Sequence, residues 1–366
     1  MFETGYKCME CSKAYRTPEI LYRCPACGGA LEVTYDYAKV KANFISEQFR
    51  FMCPKHMKYH FALPLKEPHN AVTMGEGGTP LIKISEGLYA KFEGVNPTGS
   101  FKDRGSSVEI SKAIELGRTH VACASTGNMG ASVAAYAAHG GIKATIFVPP
   151  FAEKIKLKQM EYYGAEIRVV RGTYTRVMEE CAKYAKKAGA YLTGDYPYRL
   201  EGQKTVAYEI ADQMGYEVPD NIVIPVGNGT LFYATYKAFK EMGELGIARK
   251  IPRLIAVQAG GCASVVDAYV HKRARLLPVK RPKTIAGAIN CDLPVEGAGI
   301  LRALRESNGM AIAVSDREMI RAKRELSQKG IYPEISSAAA YAALPKLKMA
   351  GKTVIVVTGI GFKDKY

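Results

Sequence analysis

One lysine, Lys102, stands in Asn96-Pro97-Thr98-Gly99-Ser100-Phe101-Lys102-Asp103-Arg104-Gly105, between a Pro/Gly turn and the start of a helix. Solvated lysines lie among polar neighbours, whereas this one follows an apolar strand at Tyr89 to Glu93, a turn and Phe101. A partly desolvated amine has a depressed pKa and can form a Schiff base with an aldehyde. Alone, the segment reads more simply as a surface lysine. Two further segments change that reading. Ala124-Ser125-Thr126-Gly127-Asn128-Met129-Gly130 closes the apolar run Val121 to Ala124 and opens an alanine-rich helix. Its backbone amides attract anions, and Ser125, Thr126 and Asn128 add donors. Pro225-Val226-Gly227-Asn228-Gly229-Thr230 also leads from a strand into a helix. Its glycines let backbone amides approach a phosphate, and Thr230 adds a hydroxyl. Three such turns, one carrying the lysine, point to a phosphorylated aldehyde as cofactor.

A second chemistry is written in the cysteines. Cys8-x-x-Cys11 and Cys24-x-x-Cys27 have the double-knuckle spacing of a tetrahedral thiolate cage for Zn²⁺, with Gly28-Gly29 relieving the second turn. Four thiolates leave no position for water, so such a metal is structural. Cys53, His56 and His60 lack a fourth ligand and read as surface histidines beside a buried cysteine. Cys123, Cys181, Cys262 and Cys291 lie among small or apolar residues and read as core thiols.

These groups must be positioned by a chain of 366 residues, 48% of them hydrophobic, which is enough for two subdomains and an appendage. No apolar run approaches the roughly 20 residues that cross a bilayer, and Met1 to Cys11 lacks a signal-peptide core. A cytoplasmic protein with reduced thiols is expected. The net charge of +16 raises the question of nucleic acid, but the basic residues are dispersed along amphipathic helices and no tryptophan or stacking motif is present. A basic surface around anionic ligands is the simpler reading.

Apolar runs at Val121–Ala124, Ala144–Val148, Ile167–Val170, Ile222–Val226, Leu254–Val257 and Val354–Val357 alternate with helix-length amphipathic segments. That pattern predicts an α/β fold with parallel sheets covered on both faces. Ser315 with Glu318 makes a capping box, and Gly330 and Gly351 read as helix stops. The expected division is a zinc ribbon over 1–34, a small subdomain over 101–193, and a large cofactor-binding subdomain formed by 35–100 and 194–366. Gly351-Lys352-Thr353 does not make a nucleotide loop, because it enters a strand and lacks the first glycine. Gly359-Ile360-Gly361 has no helix after it.

From about Gly75 onward the sequence resembles the tryptophan-synthase-β-like, fold type II pyridoxal-phosphate enzymes, and within them the threonine synthases. Besides the three turns, the resemblance rests on Gly77-Gly78-Thr79-Pro80-Leu81, Arg199-Leu200-Glu201-Gly202-Gln203-Lys204-Thr205 and Val357-Thr358-Gly359-Ile360-Gly361-Phe362. It implies that Lys102 holds pyridoxal phosphate and then moves protons, and that Asn128 bonds the phenolic oxygen. Phe101 packs near the ring, Gly227, Asn228, Gly229 and Thr230 cradle the phosphate, and Thr358 faces the pyridine nitrogen. It implies O-phospho-L-homoserine as substrate, held by Ser125, Thr126 and Arg199, and a homodimer. A structural ion pair of Arg199 with Glu201 or a neighbour is the competing reading. Met129, Thr193, Tyr196, Leu231 and Ile360 depart from the family pattern on the substrate side. A β-replacement enzyme acting on O-phosphoserine is therefore the main alternative. A zinc-ribbon regulatory or nucleic-acid-binding protein is the rival from another class.

Overall fold

The computed structural model describes residues 2–44, 55–125, 127–150, 152–172, 174–348 and 350–364. Thr126 and Cys53 lie outside the described residues. Three sheets organise the chain. Antiparallel strands β1 (Glu3–Cys8), β2 (Ala14–Tyr15) and β3 (Leu31–Tyr35), in the order β2-β1-β3, form the N-terminal module. The largest sheet contains β4 (Leu81–Ser85), β5 (Leu88–Phe92), β10 (Asn221–Pro225), β11 (Arg253–Ala259), β12 (Met310–Val314) and β13 (Thr353–Val357), in the order β12-β11-β10-β13-β5-β4. It is parallel apart from the edge strand β4. The third, wholly parallel sheet has β6 (His120–Ala124), β7 (Lys143–Val148), β8 (Glu166–Val169) and β9 (Tyr191–Thr193) in the order β8-β7-β6-β9.

The apolar runs become strands because helices cover both faces of each parallel sheet, so neither face needs a polar alternation. Ile222, Val223 and Ile224 are all buried, as are Val354 to Val357. The run at Ile167 behaves differently. It forms an edge strand whose Val169 is exposed, since no described element covers that side. The helix Thr230–Glu244 buries Leu231, Ala234, Ala238 and Met242 as its periodicity predicts, but also Phe232, Tyr233, Tyr236 and Lys237. The N-terminal module covers its second face: Tyr233 donates to Glu32, and Lys237 stacks on Tyr35. The capping box at Ser315 and Glu318 is formed. Gly351 does not stop an α-helix. Its φ of +76° makes the turn into β13, where a Cβ would meet the Asp220 carboxylate.

Every chemically interesting turn lies just beyond the carboxyl end of a parallel strand: Gly227 after β10, Thr358 after β13, Ser125 after β6, and Lys102 a short loop beyond β5. Open parallel sheets bind ligands at that edge.

Candidate active site

The Lys102 loop is held from below by buried charge. Arg104 makes a two-pronged pair with Glu93, Nε to Oε2 at 2.7 Å and Nη2 to Oε1 at 2.8 Å, and its Nη1 reaches Glu209 at 3.0 Å. Thr98 donates to Asp103 through both its backbone N–H and its hydroxyl, at 2.7 and 2.6 Å. The Phe101 N–H donates to the Thr358 carbonyl at 3.0 Å, which ties the lysine loop to the end of β13.

Lys102 itself is mostly buried, with Nζ 3.9 Å from Asp195 and 4.7 Å from the centre of the Phe101 ring. Burial lowers its pKa, opposed by Asp195 and helped by Arg199. Burial also works against the Asp195 carboxylate, but Lys102 and Arg199 outweigh it and hold its pKa below the ordinary value. Asp195 accepts from Asn228 Nδ2 at 2.6 Å and from the Thr230 hydroxyl at 2.9 Å, so it joins the lysine to the glycine loop. Glu296 accepts from the same hydroxyl at 3.2 Å. Burial and the neighbouring Asp195 push its carboxyl up to about 8, leaving it protonated at neutral pH.

Pyridoxal phosphate can be tested against these residues. The backbone N–H groups of Gly227, Asn228 and Gly229 have no acceptor among the described residues. A Cβ on Gly227 would stand 2.9 Å from the Ala288 carbonyl, and Gly229 has φ +94° at the start of the helix Thr230–Glu244. Asn128 Oδ1 is buried without a partner, while its Nδ2 donates to both Glu334 oxygens at 3.0 and 2.8 Å. The Thr358 hydroxyl lies 2.7 Å from that of Ser337. An aldehyde-reactive amine, unfilled backbone donors, an orphaned amide oxygen and a hydroxyl pair fit the cofactor. While protonated, Glu296 adds no negative charge beside the Thr230 hydroxyl.

The structure brings Phe101, Lys102, Asn228, Gly229, Thr230 and Thr358 together through these bonds, with Asn128 beside Glu334. Ser125 Oγ accepts from the Gly130 N–H at 2.9 Å and the Gly127 N–H at 3.3 Å, so it caps the helix Asn128–His139. Arg199 takes up the competing reading, a structural ion pair, with Glu109 as the neighbour. Its side chain is fully buried and paired with Glu109, and it donates to the Gly194 carbonyl at 3.0 Å, the Lys102 carbonyl at 3.3 Å and Ser106 Oγ at 3.1 Å. It supports the lysine backbone in this structure. Glycines explain the placement: a Cβ on Gly105 would stand 2.8 Å from Arg199 Cγ, and one on Gly202 would stand 2.1 Å from the Arg104 carbonyl. Only glycine lets the helices Lys102–Glu115 and Pro197–Gln203 approach that closely. His56 also differs from expectation, being buried with Nε2 2.6 Å from Glu76. Cys291, read as a core thiol, lies 3.1 Å from Asn228 Oδ1. Asp195, Glu296 and Glu334 are site residues that the motifs did not single out. Asp195 stands between Thr193 and Tyr196 just after a strand, a position that pointed to it.

The four cysteines of the N-terminal module converge, with their sulfurs all within 4.8 Å of one another. Cys8 and Cys27 sulfurs are 3.5 Å apart, and those of Cys11 and Cys24 are 3.7 Å apart. A tetrahedron of Zn–S bonds of about 2.3 Å has edges of about 3.8 Å, so the spacing suits a cation, and the four cysteines are free in this structure.

The lysine on its glycine-loop scaffold at the ends of parallel strands defines a class, and the chain belongs to the family of pyridoxal-phosphate-dependent enzymes, which matches residues 72–359. Threonine synthases are among its relatives within that class. That of Methanocaldococcus jannaschii is 40% identical over 375 residues, covering 98% of this chain and 92% of the relative. That of Methanosarcina acetivorans is 41% identical over 371 residues, covering 96% and 90%. The fold is also that of maize serine racemase, with a TM-score of 0.68 at 24% identity over 77% of this chain and 88% of that one. The processed form of threonine deaminase isoform 2 from Solanum lycopersicum gives a TM-score of 0.65 at 21% identity, over 77% and 83%.

Proposed function

We infer that this protein is a threonine synthase, a pyridoxal-phosphate-dependent lyase that converts O-phospho-L-homoserine and water to L-threonine and phosphate. The observation that carries the reading is identity of about two residues in five to threonine synthases along nearly the whole chain. When bound, pyridoxal phosphate supplies an electron sink for the α carbon of an amino acid. The chain supplies the rest. Lys102 Nζ, its pKa lowered by burial, gives up its proton more readily than a solvated lysine, so more of it is free amine able to act as a base. Asp195 steadies its ammonium form. The N–H groups of Gly227, Asn228 and Gly229 bind phosphate oxygens, and the helix beginning at Thr230 adds its positive end. Thr358, paired with Ser337, presents a hydroxyl where a carboxylate would hold a proton on a ring nitrogen. The residue types at the Ser125–Asn128 turn suit the substrate carboxylate.

Zinc in the cysteine cage, a homodimer and a cytoplasmic location belong to the same reading. The sulfur spacing supports the first. The test is turnover of O-phospho-L-homoserine against O-phospho-L-serine with sulfide or sulfite. Threonine and phosphate from the first are expected. Efficient use of the second, with no threonine from the first, replaces the reading with β-replacement.

A further inference from the structure

The N-terminal module does more than dock. Arg23, immediately before Cys24, lines a pocket together with Met129, Thr193, Asp195, Tyr196 and Asn228. Asp195 is the residue 3.9 Å from Lys102 Nζ, and Met129 follows the Ser125–Asn128 turn, so this pocket adjoins the active site. The Arg23 guanidinium lies over the Tyr196 ring, 5.2 Å from its centre, and has no hydrogen-bond or ion-pair partner among the described residues. Its field reaches Glu296 across the pocket. A half-buried arginine stacked on an aromatic ring keeps its planar fork of donors open to an oxyanion.

Its position is tightly determined. The Tyr22 hydroxyl accepts from the Leu192 N–H at 3.1 Å, and the Tyr22 ring packs edge-on against Tyr191 and Tyr196, with centres 5.9 and 5.1 Å away. Cys24 on the other side is buried in the four-sulfur cluster. Arg23 is thus pinned between an anchor on β9 and a metal-ligand position. Arg199 is buried beneath Lys102, paired with Glu109 and bonded to the Lys102 carbonyl. Arg23 places a guanidinium on the wall of the pocket that also holds Asp195.

We propose that Arg23 binds the phosphoryl group of the substrate, so that the cysteine module contributes a substrate-binding residue to the active site. The inference rests on the threonine synthase reading for the substrate's identity. The substrate carboxylate goes to the Ser125–Asn128 turn, whose next residue Met129 forms one pocket wall, and the phosphoryl group extends to the wall that Arg23 forms. The pocket has about 20 Å³ of accessible space, room for one water, so binding a phosphoryl group there requires its lining side chains to move.

The test uses cofactor-loaded, zinc-loaded enzyme and its Arg23→Gln and Arg23→Lys variants, with zinc content and visible absorption confirming that both groups are retained. The probes are KM for O-phospho-L-homoserine and the dissociation constant of inorganic phosphate measured by calorimetry. Loss of a charge-assisted contact weakens binding about 10- to 100-fold. Arg23→Gln is expected to raise both quantities by that factor with little change in kcat, and Arg23→Lys to recover part of the loss. Unchanged values in Arg23→Gln overturn the proposal. So does a raised KM with unchanged phosphate affinity, which would assign Arg23 to the carboxylate. If the wild-type enzyme makes no threonine, the functional reading fails, while phosphate binding still decides the role of Arg23.

Discussion

Lys102 shows what burial does to one side chain, because its neighbours decide whether the amine is a base or a fixed charge. Removing it by Lys102→Ala is expected to lower turnover by at least about 10² to 10⁴-fold, the range for loss of a positioned proton-transfer group. Borohydride reduction of the wild-type holoenzyme followed by peptide mapping should label Lys102. A label on another lysine would falsify the assignment. Glu296 makes a second residue-level prediction. Its folded pKa is raised to about 8 from an ordinary 4.5, so between those values the folded protein holds a proton that the unfolded chain has released. That contribution is present at low pH and is lost as pH rises towards 8. Glu296→Gln keeps an acceptor for Thr230 without titrating. Urea midpoints should show the variant gaining on wild type between pH 5 and pH 8.5, and parallel curves would refute the buried, protonated state.

Among elements, the crossing of the helices Lys102–Glu115 and Pro197–Gln203 sets the height of the lysine. Arg199 reaches from one to the other, so Arg199→Met leaves the Glu109 carboxylate buried without its partner, a loss of about 3 to 5 kcal/mol in stability. Burial pushes the Glu109 carboxyl up to about 7 even with Arg199 present, and without it the group protonates more readily. The variant should therefore be least stable at alkaline pH, and adding Glu109→Gln should restore part of the urea midpoint. A second element-level test falls at the start of the helix Thr230–Glu244. Gly229→Ala must hold φ +94° and place a Cβ 2.3 Å from Ile300 Cδ1. The left-handed conformation alone costs about 1 to 2 kcal/mol. Dialysis should strip pyridoxal phosphate from this variant much faster than from wild type, because the displaced loop carries the phosphate's amide donors.

The whole molecule is stitched together by tyrosines and buried ion pairs that join the N-terminal module to the catalytic part. Lys204 and Lys237 each contact both Glu201 and Glu241 at 2.5 to 3.0 Å, and Tyr35 of β3 donates to Glu201 at 2.9 Å. Tyr6 of β1 meets the Tyr198 hydroxyl at 2.7 Å. Structural zinc supplies on the order of 10 kcal/mol of folding free energy in isolated fingers. Chelation or Cys24→Ser should lower the melting temperature and expose the N-terminal segment to proteolysis. Activity at saturating substrate should survive better than in Lys102→Ala, and a metal-free wild-type preparation of equal stability would dismiss the metal's structural role.

What the sequence determined by itself is local. A lysine after a Pro/Gly turn, glycine turns at strand ends, paired Cys-x-x-Cys knuckles and continuous apolar strands are read within a few residues, because backbone conformation and short-range spacing dictate them. Lys102, Gly227 to Thr230 and the alternation of strands and helices were legible in that way, while Thr358 entered only through the family resemblance. The tertiary structure decided what depends on neighbours distant in the chain. Arg199 looks like an anion clamp until Glu109 and two close-packed helices enclose it. Ile167 to Val170 reads as a buried strand, but it lies at an edge. Asp195 and Glu296 acquire their protonation states from groups on other elements. Arg23 carries no motif, and only the docking of Tyr22 onto β9 brings it to the pocket beside Lys102, because burial and electrostatic environment are properties of the assembled fold.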